Sequence, residues 1–161
     1  MVNLKIVDID KDNDTQVLIG HAAFIKTVED LYETMVGSVP GISFGLAFVE
    51  ASGPCLVRSE GNDAQLKRLA EKNAMAIGAG HFFIILFKNA YPININNAIK
   101  NMHEIVSVYC ATGNPVQLIV AQSAQGKGIV GVIDGASPKG VESGKDRAKR
   151  KKLLRDLGYK M

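Results

Sequence analysis

Two stretches of this 161-residue chain have no polar face. Ser43-Phe44-Gly45-Leu46-Ala47-Phe48-Val49 and Phe82-Phe83-Ile84-Ile85-Leu86-Phe87 are apolar or small at every position, where a strand with one wet face would alternate. Neither approaches the ~18 apolar residues of a membrane helix, and the second lies between Gly80 and Lys88. Both read as strands covered on two sides, with Ser43 to Val49 central. Such strands demand a layered domain in which other elements supply the cover.

Those other elements are legible by period. Val28, Leu31, Tyr32, Met35 and Val36 follow Thr27 at the spacing of one helical face and run to Gly37. Leu66, Leu69, Ala70, Asn73 and Ile77 form a second such face ending at Gly78, with Asn62 as the expected N-cap. Pro92 opens a short helix carrying Ile95, Ala98 and Ile99. Leu4 to Val7 and Val17 to Ile19 read as short strands joined by an acidic turn, and Leu56 to Arg58 as another. Ile105–Ala111, Val116–Ala121 and Ile129–Ile133 are strand-like runs separated by Thr112-Gly113-Asn114-Pro115 and by Gln122 to Gly128, turn chemistry that predicts an antiparallel meander. Ser143 caps a final helix, stopped by Gly158, whose Leu153, Leu154 and Leu157 are expected to face inward. The predicted order is β-β-α-β-β-α-β-α-β-β-β-α: one α/β domain over residues 1–161 with a mixed sheet, a C-terminal meander and a basic helix.

Composition excludes several function classes. Hydrophobic residues make up 47% and charged ones 22%, the balance of a soluble globular protein. The early aspartates Asp8, Asp10, Asp12 and Asp14 stand where a signal peptide would be basic and then apolar, so a cytoplasmic location is expected. Cys55 and Cys110 are far apart and outside any C-x-x-C, and no two of His21, His81 and His103 have a metal-ligand spacing; no metal centre is expected. The net charge of +3 is uneven. Residues 139–161 carry nine Lys/Arg against three Asp/Glu, and the rest of the chain ten against thirteen. Without aromatic interleaving, the basic helix reads as a solvated face before a nucleic-acid surface.

Several residues carry chemistry. Gly126-Lys127-Gly128-Ile129-Val130-Gly131 has the form G-x-G-x-x-G, but it leads into a strand where a dinucleotide fingerprint must open a helix, so it reads as a hairpin turn or a ligand-contacting one. His81, after Gly78-Ala79-Gly80 and before an apolar strand, is placed where α/β sheets bind ligands, either as nucleophile or general base or as a structural histidine. Glu50-Ala51-Ser52-Gly53-Pro54 follows the central strand: a hairpin turn, or a carboxylate and a hydroxyl offered to ribose hydroxyls, with Arg58 or the helix start at Asn62 and Asp63 able to meet an anion. Asn114-Pro115 and Asp134-Gly135 read as turns or as ligand contacts, and Asn94, Asn96 and Asn97 as caps or as amides for a base edge.

Taken in order, "HAAFIKTVEDLYETMVGSVPGISFGLAFVEASGPCLVRSEGND", "IGAGHFFIILFKNAYPININNAIKNM", "VYCATGNPVQLIVAQ", "GKGIVGVIDG" and "PKGVE" closely resemble the small, largely archaeal family of adenosine-specific kinases from about residue 15 to the C-terminus. The resemblance implies a homo-oligomer, trimeric by expectation, that binds adenosine or AMP and holds a histidine able to carry a phosphoryl group. By motif the E-A-S-G segment falls on Glu50 to Gly53, G-N-D on Gly61 to Asp63, A-G-H on Ala79 to His81, C-A-T-x-N-P on Cys110 to Pro115 and D-G on Asp134 and Gly135. His81 is thus the expected catalytic residue, and Glu50, Ser52, Arg58, Asn62, Asp63, Asn114 and Asp134 are the expected nucleoside contacts. Phosphoryl transfer calls for Mg2+ and a phosphoryl donor as reactants, with no tightly bound cofactor, and Arg58, Lys26, Lys88 and Lys127 are the candidate cations. One departure stands out: where members read G-Q-x-H-F-I-K-T, this chain has Gly20-His21-Ala22-Ala23-Phe24-Ile25-Lys26-Thr27. It leaves His81 as the remaining motif histidine, with His21 as a displaced substitute.

Overall fold

A computed structural model describes residues 1–161. The elements follow the predicted order: β1 (Asn3–Asp8), β2 (Gln16–Ala22), α1 (Thr27–Ser38), β3 (Ser43–Val49), β4 (Val57–Gly61), α2 (Ala64–Ile77), β5 (Phe82–Lys88), α3 (Pro92–Lys100), β6 (Ile105–Thr112), β7 (Val116–Gln122), β8 (Lys127–Asp134) and α4 (Gly144–Asp156). The strands form two sheets, one ordered β4-β3-β5-β2-β6 and the other β1-β7-β8.

The apolar run of β5 lies at the middle of the five-stranded sheet and explains its own composition. Phe82, Ile84 and Leu86 enter a core between this sheet, α2 and the three-stranded sheet. Phe83, Ile85 and Phe87 enter a second core beneath α1 and α3. All six are at most 1% exposed, and each such side chain contributes on the order of 2–3 kcal/mol on burial. β3 divides the same way, Ala47 and Val49 to one side, Phe44, Leu46 and Phe48 to the other. Gly45 makes room for α2: a Cβ there would lie 2.0 Å from the Lys67 backbone nitrogen.

The α/β class and element order are as predicted, but the strand pairing is more specific than one mixed sheet. Every strand pair is antiparallel, and the one parallel contact is an isolated bridge between Ala79 and Lys127. Nor do the last three strands form one meander. β6 pairs with β2, whereas β7 pairs with β1 and β8. The corner at Thr112 to Pro115, where the Thr112 hydroxyl accepts from the Asn114 amide at 3.1 Å, carries the chain from one sheet to the other. Hairpin spacing in sequence cannot tell a turn from such a corner.

Two local expectations are corrected. Asp63, not Asn62, caps α2, its carboxylate accepting from the Gln65 and Leu66 amides at 2.9 and 3.0 Å. The helix α4 begins at Ser143 with a reciprocal cap from Asp146, yet none of its residues is buried, and Leu153 and Leu157 face solvent.

The Gly45 contact generates a prediction. Gly45→Ala drives a methyl into helix backbone that cannot rotate away, so it should cost about 3 kcal/mol, the upper end of overpacking. In urea the unfolding midpoint should fall on the order of 1–2 M; an unchanged midpoint would mean that α2 does not pack this close to β3.

Candidate functional site

The end of β3 and the start of β5 lie side by side, and His81 is fixed between them. Its amide donates to the Val49 carbonyl at 2.8 Å, and its own carbonyl accepts from the amide of Ala22, the last residue of β2, at 2.9 Å. Clamped on both sides, His81 takes a left-handed backbone with φ of 61°, which costs a non-glycine residue on the order of 1–2 kcal/mol. The ring packs 20° from parallel against Phe48 and edge-on against His21, both at centroid distances of 5.7 Å. His21 is held below its ordinary value, first by burial and then by repulsion from His81. Two imidazoles thus share one mouth of the fold.

Glu50, the residue after β3, turns toward the same mouth. Its carboxylate accepts from the Leu56 amide at 2.8 Å and from the Arg58 guanidinium at 2.9 Å. These two donors hold it below the usual carboxylate range. Only 10% of its side chain is exposed, so it is a fixed and nearly buried anion. Arg58 keeps a further donor, its Nε, buried and without a partner.

Two clefts meet at Glu50 and Ala51. The smaller, about 350 Å³, is lined by Ala23, Phe24, Phe48, Ser52 and His81 as well as these two. The larger, about 650 Å³, lies between the sheets and is lined by Val49, Val57, Met75, Gln125 and Lys127 in addition. Gly80 lines the larger cleft, and a Cβ on it would meet the Ala51 Cβ at 2.9 Å, so the Glu50 loop seats directly against the turn that presents His81.

The structure therefore gathers His81, Glu50, Ser52 and Arg58 and places the other expected residues elsewhere. The Asn62 amide is spent on β3, accepting from the Phe44 amide and donating to the Ile42 carbonyl, both at 2.8 Å. Phe44 to Glu50 is six residues of strand, so Asn62 and the cap Asp63 lie about 20 Å from the clefts. Asn114 and Asp134 hold each other at 3.0 Å, with the Cys110 thiol 3.5 Å from Asp134. Burial and then Asp134 push that thiol up to about 12. They sit where Val116 pairs with Asp134, and the cleft-lining turn starts where Gln122 pairs with Lys127, six strand positions or about 20 Å away. Lys88 is likewise remote, paired with Asp12 at 2.8 Å at the far end of β5. Lys26 is held by Asp30 at 2.5 Å and lies 3.8 Å from the buried Glu104. No group of three His, Cys, Asp or Glu side chains is placed to hold a metal ion.

Sequence reasoning missed Phe48 and Met75. Phe48 reads as core by its strand pattern and is core, but its ring also backs His81. Met75 lies on the polar side of its helix, where a lone methionine signals nothing.

The histidine contact can be measured directly. In an NMR titration His21 should protonate below pH 6.5, the ordinary value from which burial and His81 depress it. His81→Asn should move it upward but not fully back, since burial remains the larger cause. Because the folded value is the lower one, the neutral form's contribution to stability is present above about pH 6.5 and lost as pH falls below it. A His21 value unmoved by His81→Asn would contradict the contact.

Residues 7–160 match the family model described as "Adenosine specific kinase". Among solved structures the chain is similar to the PH1918 protein from Pyrococcus horikoshii OT3, with 44% identity and a TM-score of 0.96 over 100% of this chain and 99% of that one. No curated protein matches it. With the family model spanning nearly the whole chain, this protein belongs to the adenosine-specific kinase family.

Proposed function

We propose that the double cleft binds adenosine, and AMP as product, and that His81 relays a phosphoryl group to the nucleoside. The observation that carries this reading is the position of Glu50, which lines both clefts. The larger cleft falls within the 300–1,000 Å³ typical of small-ligand sites, and its Val49, Val57 and Met75 offer apolar cover for a purine. A ribose at the junction would donate its hydroxyls to Glu50, which keeps lone pairs free beyond those used by Leu56 and Arg58. The 5′-hydroxyl would then point into the smaller cleft, toward His81 and the Ser52 hydroxyl.

The chemistry follows in two balanced steps. An imidazole nitrogen of His81 attacks the terminal phosphorus of a phosphoanhydride donor, forming an N–P bond as the P–O bond to the leaving group breaks with its electron pair. The adenosine 5′-hydroxyl then attacks that phosphorus, forming the P–O bond of AMP and returning the electron pair of the N–P bond to the ring. Its proton passes to a neighbouring base, for which His21 is the adjacent imidazole. Mg2+ would enter with the donor.

A second reading, a nucleoside sensor without turnover, is favoured by one observation: no Lys or Arg lines the smaller cleft, and Arg58 is already committed to Glu50. One experiment separates the two. With a γ-labelled nucleoside triphosphate, Mg2+ and adenosine, the protein should form labelled AMP, and His81→Ala should abolish it while calorimetric adenosine binding persists. Glu50→Ala should weaken that binding at least tenfold, about 1.4 kcal/mol, the scale of a charge-assisted hydrogen bond. Binding with no labelled AMP would select the sensor; binding equally strong in Glu50→Ala would overturn the site.

A further inference from the structure

Two apolar surfaces of this chain have no cover. The first is the outer face of the three-stranded sheet. Val7, Leu118, Val120 and Val132 point inward to the core, which leaves the alternate positions outward. Ile6 stands opposite Ile119, and Ile119 opposite Gly131, with Leu4 and Ile133 diagonal to them. Leu4 is 64%, Ile6 62%, Val130 62% and Ile133 42% exposed.

The second surface is α4. Leu153 and Leu157, one helical turn apart, are both half exposed or more. A free helix of 13 residues is marginal in water unless a partner takes its apolar stripe. Yet no side-chain hydrogen bond or ion pair joins residues 139–161 to the rest of the chain. The arm's ion pairs, Arg147 and Arg150 with Glu142 and Lys152 with Asp156, are internal to it.

We infer that α4 of one copy of this chain docks on the outer sheet face of another. Charge points to that occupant. The arm carries nine basic against three acidic residues, and residues 1–138 carry ten against thirteen, so each body attracts another copy's arm. Asp8, opposite Gln117, stands at one end of the outward face, ready for the basic flank of the helix. The exchange covers both apolar surfaces at once and is independent of the chemistry proposed for the clefts.

The test uses full-length chains in a Cys55→Ser background, since Cys55 is exposed. A chain with Ile6→Cys is mixed with a chain bearing Leu153→Cys and oxidised; both positions are exposed, and circular dichroism confirms folding. The expected result is a disulfide-linked species of two chains that forms in the mixture and not from either chain alone, with light scattering giving a multiple of one chain for the unmodified protein. A monomeric mass without the mixed disulfide would overturn the inference. So would a doubly substituted chain that closes on itself without gain in mass, or an RNA oligonucleotide that protects α4 while Ile6→Cys stays reactive.

Discussion

Everything in this fold follows from β5 having no side that can face water. Six consecutive side chains, three on each face, must be covered, and the cost of exposing them would exceed the net stability of an ordinary domain. One face takes α1 and α3; the other takes α2 and the three-stranded sheet. Covering both faces buries the middle of the sheet and leaves chemistry only at its ends. There the residue before β5, His81, is caught between the ends of β3 and β2.

That clamp connects fold to function. A histidine on a free loop would sample many rotamers, whereas His81 is held by two backbone hydrogen bonds, a left-handed backbone and two ring contacts. Glu50 is fixed by comparable means, a main-chain amide and a guanidinium. The two are neighbours because His81 bonds the carbonyl of Val49, the residue just before Glu50. Preorganised groups of this kind need no reordering when a ligand arrives, which is how a small site gains affinity and rate. The strain at His81 is offset by the buried strand that follows it.

Elements and their order were legible because they depend on local period. The all-apolar runs announced β3 and β5, and the 3.6-residue faces announced α1 and α2. Strand partners were not legible, because β2 meets both β5 and β6 across more than sixty residues of chain, and nothing in the Thr112 to Pro115 segment marks it as a crossing between sheets. The same limit applied to the site. Glu50, Ser52 and His81 were readable as residues at strand ends, but motif proximity also drew in Asn62 and Asp63, which sequence places near Glu50 and the hairpin geometry of β3 and β4 carries to the opposite end. Asn114 and Asp134 were drawn in by turn chemistry, and the structure spends them on each other.

The proposed transfer needs the nucleoside to lie across Glu50 with its 5′-end toward His81, and a crystal structure with adenosine bound tests that most directly. The ribose hydroxyls should be found on the Glu50 carboxylate and the 5′-oxygen about 2.6–3.2 Å from a ring nitrogen of His81, or one water away. Adenosine bound elsewhere with both clefts empty, or bound with its 5′-hydroxyl pointing away from His81, would contradict it.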